Sequence, residues 1–148
     1  MNEEIYPMPF FPTLIVKDLE ASSDFYQKAL GFKHIFTMPG LVHLRWVKYA
    51  DVLIAGHRDG EEITGTKGAG VALNFNMLDR FNGDLDAFAA HAHANGANVQ
   101  GPVEQPWNVR EVAVLDPDGY RLVFSTPLNV NLKFDVMLER VKKAEEGR

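Results

Sequence analysis

The chain has 148 residues, 46% of them hydrophobic, and a formal net charge of -5; this fits one globular domain and excludes disordered and low-complexity classes. The acidic balance argues against a nucleic-acid binder, and the absence of cysteine excludes disulfides, thiolate metal sites and a cysteine nucleophile. Because no window approaches about 18 apolar residues and no signal-peptide pattern opens the chain, we expect a cytoplasmic protein that does not contact membranes.

The first half of the chain predicts a strand, a helix and three strands. An apolar, β-branched run at 10–16 favours a strand. Asp18 is suited to cap a helix over 19–30, where apolar residues recur at helical spacing, and Gly31 is suited to end it. Three more strands, separated by short turns typical of antiparallel hairpins, are predicted at 33–37, 41–49 and 51–55.

The second half repeats this order after a polar connection at 56–70 that holds five glycines. Apolar and polar residues alternate over 71–77, as in a half-buried strand. A second helix is predicted at 84–95, and Gly96 is suited to end it. Strands follow at 99–103, 109–115 and 120–125, the last two joined by the turn 116–119. Two halves with one element order indicate an internal structural repeat.

The tail at 131–148 predicts an amphipathic C-terminal helix followed by a charged run. Phe134, Met137, Leu138 and Val141 recur there at helical spacing. Such a helix either packs on its own domain or braces a neighbouring subunit.

Short motifs that follow one another in a fixed order along the chain carry a family resemblance. They include Leu30-Gly31-Phe32, Gly96-Ala97, Pro106-Trp107 and Asp116-Pro117-Asp118-Gly119. With the doubled unit, this order resembles the vicinal oxygen chelate superfamily of glyoxalases, extradiol dioxygenases and bleomycin-resistance proteins.

The resemblance implies an α+β fold in which two βαβββ modules form a curled mixed sheet around a cavity. The helices would lie on the outer face, and an extra helix would follow at the C-terminus. The expected divisions of this single domain are module one at about 9–58, a linker at 59–69, module two at about 70–127 and the extension at 131–146. Because members of the superfamily frequently form dimers, we expect a homodimer.

The resemblance also implies where a divalent metal would be held, by His and Glu or similar side chains from four strands. The matching positions here are Phe11, Ile54, Ala72 (or Val71) and Val123. None of these side chains has a lone pair to offer a cation. The chain therefore resembles metal-free bleomycin-resistance-like members most, and we expect neither a metal nor a cofactor.

An alternative is a glyoxalase- or dioxygenase-type lyase or oxidoreductase with a displaced metal set, such as His43 with His57. His34 and His43 fall on neighbouring predicted strands and have the potential to meet across the sheet. A metal-free isomerase and a scaffold for dimerisation are further alternatives, and no catalytic residue is assigned.

The predicted function is metal-independent binding of a small drug or metabolite, with a role in antibiotic resistance. An apolar cavity with a few amides suits an aromatic ligand held by stacking and hydrogen bonds. Trp46 is interpreted either as a stacking residue or as core, and Trp107 as a ligand contact. The candidate ligand-binding residues are Phe11, Thr13, Phe36, Met38, His43, Trp46, Asn74, Asn76, Trp107, Arg110 and Glu111.

Overall fold

The structure, a computed structural model, describes residues 4–57 and 62–147. Part of the expected linker at 59–69 therefore lies outside the described residues. Module one consists of β1 (Thr13–Val16), α1 (Leu19–Asp24), β2 (Lys33–Met38), β3 (Leu41–Val47) and β4 (Ala50–Gly56). Module two consists of β5 (Ala72–Asn76), α2 (Leu85–Ala94), β6 (Asn98–Gln105), β7 (Val109–Leu115) and β8 (Arg121–Pro127), and α3 (Phe134–Glu146) follows it.

Each module forms one four-stranded mixed sheet. The strand orders are β1-β4-β3-β2 in sheet one and β5-β8-β7-β6 in sheet two. The pairs β1–β4 and β5–β8 are parallel, and the other neighbours are antiparallel. The predicted α+β class and repeat are confirmed, and among the described residues the sheets do not close into a barrel.

The predicted helix boundaries follow from local chemistry. The side chain of Asp18 accepts a hydrogen bond from the Ala21 amide at 3.0 Å, which caps the first turn of α1. The helix then continues as a π-helical turn over Phe25–Ala29. Gly31 follows with φ +80°, a left-handed conformation that glycine adopts without steric cost. In module two Asp84 caps α2 in the same way, through the Ala87 amide at 3.0 Å.

An aromatic core joins the two modules on the helix side of the sheets. Trp46 of β3 is fully buried, and its ring centroid lies 4.9 Å from that of Phe124 on β8. The Trp46 indole N–H donates to the Asn76 carbonyl at 2.9 Å. Phe88 of α2 packs on Phe124 at 4.5 Å. The rings bury a large apolar area in both modules at once, so neither half has a separate core.

Hydrogen bonds between the two modules also hold them together beside this core. The buried Tyr26 hydroxyl donates to Asp116 at 2.8 Å, and the Tyr120 hydroxyl donates to the Ile15 carbonyl at 2.9 Å. Burial raises the pKa of Asp116, although hydrogen bonds from Tyr26 and from backbone amides oppose that shift. These bonds fix the turn before β8 against the first module.

The C-terminal helix α3 forms as predicted but contributes no buried residue to the core. Its role in bracing a neighbouring subunit stays a prediction. Among the described helices, none is both long enough and apolar enough to cross a bilayer.

Candidate functional site

One face of sheet one is covered by the helices and the other is concave. In β3, Val42, Leu44 and Trp46 are buried in the core. Because side chains alternate along a strand, Leu41, His43 and Arg45 lie on the opposite face. The two faces of this sheet therefore differ sharply in chemistry.

A cavity of about 600 Å³ lies at one end of the concave face. Its strand side chains come from β1, β2, β3 and β4, which bring together residues far apart in the sequence. Most of them are aliphatic or thioether groups, with one hydroxyl and one imidazole at the edge. The lining residues are Thr13, Ile15, Met38, Pro39, Gly40, Leu41, Ala55, Gly56 and His57.

A buried polar cluster occupies the same face, beyond the cavity. Asp51 lies at its centre with a fully buried side chain. Its carboxylate lies 2.5 Å from Nε2 of His43 and 2.9 Å from Nη2 of Arg45. Nε of Arg45 donates to both carboxylate oxygens, at 3.1 and 3.0 Å. The imidazole and the guanidinium thus both hydrogen-bond to one buried carboxylate.

The N-terminal segment closes over this polar cluster. The Tyr6 hydroxyl donates to Asp51 at 3.0 Å and accepts from the Tyr49 amide at 2.7 Å. The Arg45 guanidinium donates to the Glu4 carbonyl at 2.8 Å and lies 4.5 Å from the centre of the Tyr6 ring. This arrangement combines a charge-assisted hydrogen bond with a cation–π contact.

The electrostatics of the cluster favour an ionised Asp51. Burial alone would raise the pKa of its carboxyl group, but hydrogen bonds from Arg45, His43 and Tyr6 outweigh burial and hold that pKa below its usual value. The carboxylate therefore carries a negative charge that the adjacent Arg45 guanidinium balances.

A second cavity, of about 300 Å³, lies between the modules. Asn74 of β5 contributes to its wall, as does Asp51 from the polar cluster. Phe10 lines this cavity from the N-terminal segment, whereas the predicted contact Phe11 is not among its described lining residues. The structure therefore places Asn74 in a cavity different from that of Thr13 and Met38.

The structure brings together four of the predicted residues around sheet one. Thr13 and Met38 line the larger cavity. Phe36 pairs with His43 across β2 and β3, and their rings meet edge to face at 5.1 Å. His34 does not meet His43; it hydrogen-bonds to Thr37 at 2.7 Å and is exposed.

Trp46 and Asn76 do not join this group. Trp46 belongs to the aromatic core and has no exposed surface, which decides between the two interpretations of this residue in favour of core. The Asn76 side chain accepts from the Leu78 amide at 3.0 Å, so it stabilises the turn after β5.

Three predicted residues lie on sheet two, away from the larger cavity. Trp107 lies in the turn between β6 and β7 and is 43% exposed. Arg110 forms an ion pair with Asp86 of α2 at 2.8 Å, which places it on the helix side of the sheet rather than the concave side. Glu111 accepts from Gln105 at 2.8 Å. Consecutive residues of a strand face opposite ways, so Arg110 and Glu111 cannot share one cavity.

The strand positions that match the superfamily's metal ligands do not fit a divalent ion. Ile54 is buried in the core, and its neighbours Leu53 and Ala55 take the concave side of β4. Ala72 and Val123 occupy the corresponding faces of β5 and β8. All these groups are hydrocarbon, so they donate no electron pair. Among residues 4–57 and 62–147, no three His, Asp or Glu side chains converge on a common point.

The polar cluster is the feature that sequence reasoning missed. Of its members only His43 was predicted; Tyr6, Arg45 and Asp51 were not. A signal was present, because polar and apolar residues alternate along 42–46, which indicates a second, polar face of a strand otherwise treated as core. The partner of Arg45 lies across a hairpin in the next strand, and this pairing depends on the register.

Comparison with known proteins agrees with this architecture. The model of the Glyoxalase/Bleomycin resistance protein/Dioxygenase superfamily matches residues 10–124. The chain therefore belongs to this superfamily. No curated protein matches the sequence significantly.

Several solved structures share the fold. A glyoxalase/bleomycin resistance protein/dioxygenase family enzyme from Burkholderia phytofirmans PsJN has a TM-score of 0.64 at 23% identity, over 80% of this chain and 97% of that one. A glyoxalase/bleomycin resistance protein from Streptomyces sp. CB03234 has a TM-score of 0.57 at 26% identity, over 77% and 96%. TioX from Micromonospora sp. ML1 has a TM-score of 0.63 at 18% identity, over 80% and 97%.

Proposed function

We propose that this protein binds a small, largely apolar organic molecule without a metal ion, in the manner of bleomycin-resistance proteins that sequester a drug. The cavity on the concave face of sheet one carries this proposal. Its volume of about 600 Å³ lies in the range of about 300 to 1,000 Å³ typical of small-molecule sites. The ligand would be a drug or metabolite, and no bond would be made or broken.

The chemistry of the cavity wall supports an aromatic or aliphatic ligand. Ile15, Leu41 and Ala55 offer hydrocarbon surface, and Met38 adds a polarisable thioether that packs well against aromatic rings. Thr13 and His57 supply hydrogen-bonding groups at the edge. An apolar wall with a few polar groups favours burial of a ligand body and orientation of its substituents.

The donor set supports metal independence. Ala72 and Val123, and the β4 positions Leu53 and Ala55, carry hydrocarbon side chains, as described above. For the displaced set His43 with His57, no third His, Asp or Glu side chain of the described residues joins these two at a common point. Family membership by itself is compatible with binding or catalysis, because one fold hosts many functions.

We also propose that the protein acts as a homodimer. Large apolar side chains lie exposed, including those of Phe10, Val103 and Phe134. Covering such groups with a second copy would remove apolar area from water.

Metal analysis together with a thermal-shift screen tests the proposed function. We expect purified protein to hold no stoichiometric zinc, manganese, iron or nickel, and its melting temperature to be unchanged by chelators. A panel of aromatic antibiotics should include at least one that raises that temperature, because a ligand at 100 times its Kd stabilises a protein by about 2.7 kcal/mol.

The variant Ala55→Phe tests where the ligand binds, because the larger side chain fills the cavity from β4 without touching the polar cluster. It should abolish the shift. About one tightly bound metal per chain, with loss of stability on chelation, would overturn the proposal.

A further inference from the structure

The imidazole of His43 has one nitrogen in use and one free. Nε2 lies 2.5 Å from the Asp51 carboxylate, whereas Nδ1 is buried and has no hydrogen-bond partner among the described residues. The whole residue is only 4% exposed. Buried polar atoms without a partner are uncommon in native proteins, and leaving one unpaired costs free energy.

The cluster fixes which nitrogen carries the proton. An ionised carboxylate only accepts hydrogen bonds, so Nε2 of His43 must donate to Asp51. Asp51 also accepts from Arg45 at 2.9 Å, so its hydrogen bonding does not require a second proton on the imidazole. Nδ1 therefore holds a lone pair and is an acceptor.

The strand registers place this imidazole between the polar cluster and the larger cavity. His43 pairs with Phe36 on one side and with Leu53 on the other, and Leu53 pairs with Thr13. Thr13 and Leu41, which is two residues from His43 on the same face of β3, both line the cavity. Asp51 lies on the opposite side, because it pairs with Arg45.

We propose that Nδ1 of His43 accepts a hydrogen bond from a hydroxyl or N–H group of the ligand. This inference rests on the proposed function and names its ligand class: an apolar, preferably aromatic body that carries a neutral donor, such as a phenol. Ethers and carboxylates carry only acceptors, which do not hydrogen-bond to the lone pair of Nδ1. Ligands whose only polar groups are of these kinds are therefore disfavoured. Phe36, packed edge to face on the imidazole and 38% exposed, has solvent to move into as the donor approaches.

A matched pair of probes tests the assignment. The full-length protein is titrated with 2-naphthol and with 2-methoxynaphthalene, which has the same ring system but no donor. We expect 2-naphthol to bind about tenfold more tightly, because one well-made hydrogen bond to a buried group is worth about this factor. In His43→Leu the two probes should bind with equal affinity.

A spectroscopic measurement keeps the test independent of that variant's folding. In protein labelled with ¹⁵N at histidine, Nδ1 of His43 should show the shift of an unprotonated nitrogen, and 2-naphthol but not its methyl ether should move it. A protonated Nδ1 in the free protein, or equal affinity of wild type for both probes, would overturn the inference.

The two proposals fail separately. If 2-naphthol does not bind while antibiotics from the thermal-shift screen do, the assignment of His43 falls and the binding function stands. If no compound of either set binds, both fall.

Discussion

Removing the charge of Asp51 tests the buried polar cluster most directly. The variant Asp51→Asn keeps the shape of the side chain but removes the negative charge beside the Arg45 guanidinium, whose side chain is 95% buried. Breaking a buried ion pair from one side costs about 3 to 5 kcal/mol of unfolding free energy. Because domains are stable by about 5 to 15 kcal/mol, this is a large fraction of the total.

Urea unfolding followed by tryptophan fluorescence measures that cost. The matched control is Asp24→Asn, which removes an ion pair with Lys28 at 3.5 Å whose two side chains are 54% and 72% exposed. Exposed pairs contribute little, so the control should unfold close to wild type. The double variant Arg45→Met, Asp51→Leu should recover much of the loss, because it removes both buried charges together.

Equal midpoints for Asp51→Asn and Asp24→Asn would refute this reasoning. That result would mean that water reaches Asp51 in solution and that the N-terminal segment does not seal the cluster. A double variant as unstable as Asp51→Asn would show instead that hydrogen bonding, rather than charge balance, dominates.

The pKa of Asp51 is lower in the folded protein than its usual value of 3.8, so the stability that its ionised carboxylate contributes is complete above that value and is lost as the pH falls through the folded pKa. The difference in unfolding free energy between wild type and Asp51→Asn, measured by urea unfolding, should therefore shrink in acid. A constant difference down to about pH 2 would contradict this prediction. Sedimentation equilibrium at micromolar concentration should give twice the chain mass of 16.6 kDa, and a mass equal to that of one chain would reject the homodimer. Trp107→Ala should change the unfolding free energy much less than Phe88→Ala, which empties a fully buried site and costs about 3 to 5 kcal/mol, and equal losses would show that Trp107 is a structural residue.

The elements and their repeat could be predicted from the sequence because they depend on near neighbours. A cap such as Asp18, a stop such as Gly31 and an alternating strand such as 71–77 are each decided within a few residues. Two such series in one order, with their turn motifs, were enough to indicate the superfamily. The strand ends were less accurate, and β1 begins at Thr13 rather than at residue 10, after a proline that has no N–H to donate.

The alternation of side chains along a strand is enough, without any structure, to show that two pairs of predicted ligand contacts do not face the same cavity. His43 and Trp46 are three positions apart, so they lie on opposite faces of a regular strand. At most one of them is therefore able to face the cavity. Arg110 and Glu111 are adjacent, and the same rule separates them. The ion pair of Arg110 with Asp86 shows which of these two residues faces the helix.

Composition, local periodicity and turn chemistry thus determined the class of fold, the two modules and the family. Tertiary structure alone decided that Tyr6, Arg45 and Asp51 surround His43, and that Trp46 joins the two halves as core. The physical reason is range: caps and alternation act over a few residues, whereas the cluster needs the register of a hairpin and the return of the N-terminal segment onto the sheet. Contacts between such distant residues depend on how the whole chain packs, and no local pattern encodes them.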